Sequence, residues 1–337
     1  MRSLRKADVA RLLIGERSLL PQQGEGRAFA PSNIALCKYW GKRNEELNLP
    51  ITSSLSVSLG HLGTTTTLSI RSGGLADEVL LNGAAVPARH KFAKGVTQFL
   101  NLFRPNATMF YRVDTRNTVP TAAGLASSAS GFAALTLALN ELCRWKLEPR
   151  HLSILARLGS GSASRSIYLG FVEWNAGADE NGMDCYATPV KGTWPDLRLG
   201  LIKVSTAEKA ISSRQAMKRT RLTSALYEAW PVKVQHDLSL VKEAIAARDF
   251  GRLGQVSESN ALAMHATGLA AWPPVLFWLP ESVAVMHRVW ALREAGLPLF
   301  FTMDAGPNVK LLFQAADAAA VQEHFPGVEL VTPFGAK

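Results

Sequence analysis

The chain has 337 residues, is 47% hydrophobic and carries 37 Lys+Arg against 27 Asp+Glu, a formal net charge of +10. That length and apolar content suffice for a packed core, in two domains or in two lobes that share one. The positive residues are scattered, with no run of five, so the surplus describes a solvated basic surface and gives little support to a nucleic-acid or membrane partner. Cys37, Cys143 and Cys185 lie far apart without a CxxC pair, and the seven histidines form no HExxH. A disulfide framework and a transition-metal site are not expected, and a reducing cytoplasm fits.

Residues 1–26 are basic, and "VARLLIGERSLL" is too short and too interrupted for a signal core or a membrane span. A short amphipathic helix or a frayed end is expected there. Residues 54–59 alternate small polar and apolar side chains, and "TTTTLSI" (64–70) follows a Gly-containing break, which reads as a hairpin or meander. "EVLLNGAAV" carries Asn82-Gly83, a turn between short strands. Phe92, Val96, Phe99, Leu100 and Phe103 recur at helical spacing, and "MFYRVD" (109–114) reads as a strand.

After the small-residue stretch "PTAAGLASSASG" (120–131), Phe132, Leu135, Leu139 and Leu142 mark a helix. "EPRHLSILARLG" reads as another, with Pro149 in its first turn and Gly159 just past its end. "GSGSASRS" (159–166) reads as a second small-residue loop, and "LGFVEW" as a strand. Composition changes near "KGTWPD" (191–196). Beyond it come a strand ("LRLGLIKV"), helical patterns over roughly 222–264 and a helix through Val283, Met286 and Val289 that ends at Gly296. "LFFTMDAGPNVKLLFQ" reads strand, turn, strand; "AADAAAVQEHF" and "VELVT" add a helix and a last strand. The fold class is α+β, in two lobes with a boundary near 190–197.

A helix that begins inside the 120–131 stretch leaves backbone N–H groups unpaired, and with the helix dipole they form an anion site. Gly124 lets a phosphate reach the main chain, and Ser127 and Ser128 can donate to phosphate oxygens or coordinate Mg²⁺. The stretch is neither a Walker A loop nor GxGxxG. Close helix packing through small residues explains the same composition equally well.

"PTAAGLASSASG" resembles the phosphate-binding loop of the GHMP small-molecule kinase superfamily. The whole chain resembles one branch of it, the ATP-dependent mevalonate diphosphate decarboxylases. "NIALCKYWGKRNEELNLPITSSLSVSL" (33–59), "GSGSASRS", "EWNAGADENGMDC" (173–185), "ISSRQAM" (211–217), "MHAT" (264–267) and "FTMDAGPN" (301–308) match further blocks in the same order, over about residues 28–315. The resemblance implies a GHMP kinase-type two-lobed fold with a cleft between the lobes. Residues 1–26 would be an extension, 27–195 a ribosomal-protein-like β/α nucleotide-binding lobe, and 196–337 a ferredoxin-like α/β lobe.

It implies a reaction too: ATP with Mg²⁺ turns mevalonate 5-diphosphate into isopentenyl diphosphate, with loss of CO₂. Asp304 would face the tertiary hydroxyl, orienting it and accepting its proton, with Lys38 beside it. Arg165 would take the substrate carboxylate in a two-pronged grip. Tyr39, Lys42, Ser160, Ser162 and Ser213 would reach the diphosphate. Ala122, Ala123, Gly124, Leu125, Ala126, Ser127, Ser128 and Ala129 would wrap the ATP phosphates, Ser128 also touching the metal. Asn33, Met264 and His265 would line the cleft, His265 as a packing residue.

The chain departs from the family pattern at Ser164, where Cys is usual, and at Ala216, where Gly is usual. The second matters if the backbone there needs positive φ. The partner implied is the small-molecule substrate, with no nucleic acid and no membrane, in a cytoplasmic protein that can be a homodimer. Alternatives within the superfamily are a phosphomevalonate decarboxylase and a mevalonate 3-kinase-like enzyme. Relatives that stop at phosphorylation lack the Lys/Asp pair that this chain keeps. A nucleic-acid-binding or regulatory protein on the same fold is the alternative outside enzymes.

Overall fold

The computed structural model describes residues 4–118, 127–207 and 209–335. The chain opens with helix α1 (Lys6–Ile14), which buries Val9, Ala10, Leu13 and Ile14 in the core of the first sheet. Its alternation of apolar and basic residues gives one sticky face, so the segment packs and does not fray.

The first sheet is built round strand β4 (Ser54–Ile70). Strand β1 (Glu25–Cys37) runs antiparallel along one edge of it. The ribbon of β2 (Lys42–Asn44) and β3 (Leu49–Pro50) projects between them in sequence. Residues 54–70 are therefore one long strand, where the sequence reads as a hairpin or meander. The Gly-containing break is a bulge: the register jumps from Pro31 opposite Gly63 to Asn33 opposite Ser58, and Gly60 sits at φ +60°. The predicted turn at Asn82-Gly83 is present, with both residues at positive φ, between β5 (Glu78–Leu81) and β6 (Ala84–Ala85).

Helix α2 (Lys91–Leu100) follows on the expected stripe, then β7 (Tyr111–Asn117), which pairs with the second half of β4. Helix α3 (Ser127–Leu142) lies in the core on its alanines: Ala129, Ala133, Ala134 and Ala138 are all buried. Small side chains let it approach the sheet closely. Ser130 ties its first turn down, its hydroxyl 3.1 Å from Ser32 Oγ and 2.7 Å from Thr64 Oγ1. Helix α4 (Pro149–Gly159) leads into a 3-10 helix over Gly161–Ile167. That segment reads as a loop in the sequence, but its small residues wind tightly instead. Strands β8 (Phe171–Trp174) and β9 (Ala187–Pro189) complete a seven-stranded sheet.

The second sheet starts at β10 (Leu197–Ile202). Helices α5 (Ser213–Thr223), α6 (Ala229–Ala247), α7 (Phe250–Leu269) and α8 (Pro280–Glu294) come next. Strands β11 (Phe300–Met303) and β12 (Val309–Gln314), helix α9 (Ala318–His324) and strand β13 (Glu329–Val331) end the chain. The order is β11-β12-β10-β13, all antiparallel. Among the described residues no helix is long and apolar enough to cross a membrane.

One core joins the two sheets. Ile34, Leu36, Trp40, Leu55 and Val57 of the first half pack with Leu197, Leu199, Trp230, Val234, Leu253 and Met264 of the second. Each such side chain contributes about 1.5–3 kcal/mol of burial, so the end of β1 is held firmly against α6 and α7.

The backbone after β1 is also clamped. Tyr227 donates its hydroxyl to the Trp40 carbonyl at 2.8 Å. Gly41 follows at φ +122°, and a Cβ there would overlap that hydroxyl. Gly41→Ala is therefore expected to cost about 1–3 kcal/mol in backbone strain and overpacking. Thermal unfolding monitored by circular dichroism should show a lowered midpoint; an unchanged midpoint would remove Gly41 from this role.

Candidate active site

Lys38 stands at the end of β1 and Asp304 in the turn between β11 and β12. The Lys38 Nζ–Asp304 Oδ1 distance is 2.9 Å, across 266 residues of sequence. Lys38 is 2% exposed, while the Asp304 side chain remains 34% exposed to the cleft. The ammonium also donates to the Ala35 carbonyl at 2.7 Å. The Lys38 amide donates to Asn260 Oδ1 at 2.8 Å, and Asn260 in turn donates to Asp237 Oδ2 at 2.7 Å. Sequence reading missed Asn260 because nothing in a helical stripe marks which asparagine reaches a backbone amide.

Burial opposes ionisation of Asp304, but Lys38, Lys310 and Lys209 around it win and hold the carboxyl far below the usual carboxylate range. Burial lowers Lys38 below the ordinary lysine value, against the pull of Asp304. Lys310 of β12, 2% exposed, lies 3.5 Å from Asp304 Oδ2. Lys209 donates to the Ala305 carbonyl and, at 3.4 Å, to Ser213 Oγ. Neither Lys209 nor Lys310 was singled out in the sequence, where a lysine reads as a surface residue. A pocket lined by Ser205, Lys209, Asp304, Gly306, Asn308 and Lys310 opens beside the carboxylate. A wider groove near Leu75, Lys94, Arg104 and Phe110 contains none of the predicted residues.

Arg165, 3% exposed, sits in the 3-10 segment. Ser54 and Ser56 of β4 accept from its Nη1 and Nε at 2.6 and 3.0 Å, and Asn33 Oδ1 lies 3.4 Å from Nε. Neither serine takes Nη2. Burial pushes the guanidinium down to about 10, with Asp304 the strongest opposing charge, so it stays cationic at neutral pH. Ser160 and Ser162 have their hydroxyls 3.3 Å apart. Tyr39 packs edge-on against Trp174 at 4.8 Å, beside Gly161, and its buried hydroxyl has no partner among the described residues. An unpaired buried hydroxyl is costly unless something in the cleft meets it.

Lys42 is 4% exposed and already engaged, with Asn48 Oδ1 at 2.8 Å and Glu45 Oε2 at 3.2 Å. Arg214 lies within electrostatic reach of Lys42, Tyr39 and Lys6. Thus α1, in the N-terminal extension, brings Lys6 within electrostatic reach of Lys42 and Arg214. Ser213 opens α5, which Ser212 and Gln215 cap reciprocally. Ala216 is fully buried within that helix and needs no positive φ, so its replacement of the usual Gly carries no backbone strain.

His265 is 4% exposed between Phe277 and Trp278, and burial pushes it down to about 3. It is neutral and packs, as expected. Asn33 donates to Ser166 Oγ at 2.8 Å, at the floor of the Arg165 site. Of the predicted ATP loop, Ala122, Ala123, Gly124, Leu125 and Ala126 lie outside the described residues. Ser127 opens α3, Ser128 is exposed and Ala129 is buried.

The structure thus brings Lys38, Asp304 and Arg165 within electrostatic reach of one another, and Tyr39 within reach of Arg165 on one side and of Arg214, which also reaches Lys42, on the other. Such groups can hold anions while the Asp304 carboxylate faces a neutral group.

Residues 30–187 match the model of the diphosphomevalonate decarboxylase-like N-terminal domain, and residues 201–329 that of the mevalonate 5-diphosphate decarboxylase C-terminal domain. The diphosphomevalonate decarboxylase of Aspergillus fumigatus is 36% identical over 312 residues, covering 87% of this chain and 77% of the relative. That of Bos taurus is 36% identical over 323 residues, covering 88% and 80%. Among solved structures, MDDEF in complex with MVAPP, AMPPCP and magnesium superposes with a TM-score of 0.86 at 44% identity, covering 92% of this chain and 98% of that one. The mevalonate diphosphate decarboxylase of Staphylococcus aureus gives 0.86 at 39% identity, covering 92% and 95%. Fold, order of sequence blocks and these likenesses over nearly the whole length agree: the chain belongs to the mevalonate diphosphate decarboxylase family, on the GHMP kinase fold.

Proposed function

We propose that this protein uses ATP to convert mevalonate 5-diphosphate into isopentenyl diphosphate, CO₂, phosphate and ADP. The observation that carries the reading is the Lys38–Asp304 pair at 2.9 Å, with Lys310, Lys209 and Arg165 also within electrostatic reach of the carboxylate. The structural relative bound to MVAPP, AMPPCP and magnesium supports the ligand set. Residues 27–195 act as the nucleotide lobe and 196–337 as the second wall of the cleft. A cytoplasmic location and a homodimer belong to the same reading.

Asp304 faces the tertiary hydroxyl of the substrate and orients it. A loose phosphoryl-transfer transition state needs little early proton removal, so orientation outweighs basicity. Once phosphorylated, that oxygen becomes a good leaving group, and the anionic carboxylate favours the positive charge left on carbon. Arg165 holds the substrate carboxylate through the edge that Ser54 and Ser56 leave open. Electrons released as CO₂ departs close the alkene. Tyr39, Lys42, Ser160, Ser162 and Ser213 bind the diphosphate, with Arg214 added by the structure.

The cation Lys209, lining the pocket beside Asp304, fits a phosphate group. Bound ATP supplies the phosphoryl group, and Mg²⁺ balances its charge. Among the described residues no group of three or more His, Cys, Asp or Glu could hold a metal. Ser128 is the residue whose hydroxyl would help hold Mg²⁺ beside the nucleotide. The rest of the loop through Gly124 would cradle the phosphates.

Parallel ADP-release and CO₂-release assays on mevalonate, its 5-phosphate and its 5-diphosphate test the substrate. Equal release of both products from the diphosphate alone is expected; turnover of the monophosphate, or ADP without CO₂, would replace the reading with one of its relatives. Asp304→Asn should bind ATP nearly as well as the parent while losing about 10²–10³-fold in CO₂ release; normal turnover would remove Asp304 from its role.

The pH dependence has a definite sign. Asp304 has a depressed pKa, so its charge is present through neutrality and is lost only when pH falls below the usual carboxylate range. Lys38 has a lowered pKa, so its charge is lost on the alkaline side before the ordinary 10.5. A kcat profile should therefore be flat through neutrality and fall first on the alkaline side. An acid limb within the ordinary carboxylate range would contradict this assignment.

A further inference from the structure

Lys310 is the second residue of β12, whose neighbours Val309, Leu311, Leu312 and Phe313 are all fully buried and apolar. The strand is interior to its sheet, with β11 on one side and β10 on the other. Lysine is the most expensive ordinary choice for such a position, because its ammonium must leave water. An apolar side chain would complete the layer at no such cost. Yet Lys310 is 2% exposed, and its register partners are Thr302 and Leu201, neither of which carries charge.

The ammonium has two partners. It donates to the Asn308 carbonyl at 3.1 Å and lies 3.5 Å from Asp304 Oδ2. The other carboxylate oxygen, Oδ1, belongs to Lys38 at 2.9 Å. Asp304 is therefore gripped at both oxygens, from opposite lobes: by the end of β1 on one side and by β12 on the other. Two fixed contacts define the plane of a carboxylate, where one leaves it free to turn.

We propose that Lys310 is a positioning residue for the reaction: it fixes the plane of the Asp304 carboxylate and keeps it anionic, without itself touching the substrate hydroxyl. The proposal rests on the function assigned to Asp304 above. The other charged or titratable groups that face Asp304 are Lys38 from β1, Lys209 ahead of α5, Arg165 of the 3-10 segment and the neutral His265 of α7. Lys209 is held by Ala305 and Ser213, and Arg165 by Ser54 and Ser56, so neither can take over the grip on Oδ2.

Lys310→Met and Lys310→Gln test this. Both fill the strand position with a chain of similar length, and Met suits the apolar layer. Each variant is first shown to unfold cooperatively, and kcat and KM are then measured against pH with mevalonate 5-diphosphate. Both are expected to lose about 10–100-fold in kcat through misplacement of the carboxylate, with KM for the diphosphate changed little. The acid limb of kcat should move upward by about 1–3 pH units relative to the parent, as expected when one neighbouring cation is removed. Folded variants with the parent's kcat and acid limb would overturn the proposal. So would a fall in kcat with the acid limb in place, or loss of the fold in both variants, because either makes the ammonium purely structural. A parent inactive on the diphosphate would instead refute the assigned reaction, whatever the variants do.

Discussion

The contact between Lys38 and Asp304 constrains everything around it. A lysine at 2% exposure is tolerated only with a charged partner and further acceptors. Asp304 supplies the charge and Ala35 the acceptor. The two residues come from different sheets, so the pair exists only if both lobes hold their positions. The shared core and the clamps on the chain at residues 37–41 meet that demand. Cys37 contacts the Val234 carbonyl, Asn260 takes the Lys38 amide and Tyr227 takes the Trp40 carbonyl, so residues of α6, α7 and the turn before them hold the end of β1. The charges do not hold the lobes together. The apolar core does, and the charges exploit the resulting geometry.

Around Asp304 the structure is rich in fixed cations, and they keep the carboxylate ionised. Arg165 lies within electrostatic reach of it, immobilised by two serines of β4, the strand that spans the whole first sheet. Lys42 is tied to Asn48 and Glu45, so binding an anion there means exchanging or sharing partners. Tyr39 is within electrostatic reach of both Arg165 and Arg214.

Much of this was legible in the sequence, for identifiable reasons. Helical stripes such as Val96, Phe99 and Leu100 report burial directly, and Asn82-Gly83 allows few backbone shapes. The pairing of Lys38 with Asp304 was legible only through ordered motifs, because no local periodicity links residues 266 apart. Two local misreadings share a cause. Gly60 looked like a turn and proved to be a bulge, and "GSGSASRS" looked like a loop and proved to be a 3-10 helix, because glycine and serine permit several backbone shapes and context selects among them. Lys310, Lys209, Arg214 and Asn260 escaped notice because their importance lies in which distant partner they meet. Ala216 shows the reverse: a departure from the family pattern that seemed costly is an ordinary helical alanine.

The central claim is that Lys38 and Asp304 act as one unit. A double-mutant cycle on kcat/KM with Lys38→Met, Asp304→Asn and the pair measures that directly. If they act together, each single change removes most of the activity and the double change costs little more than the worse single one. Losses that multiply would mean two independent contributions and would contradict the account.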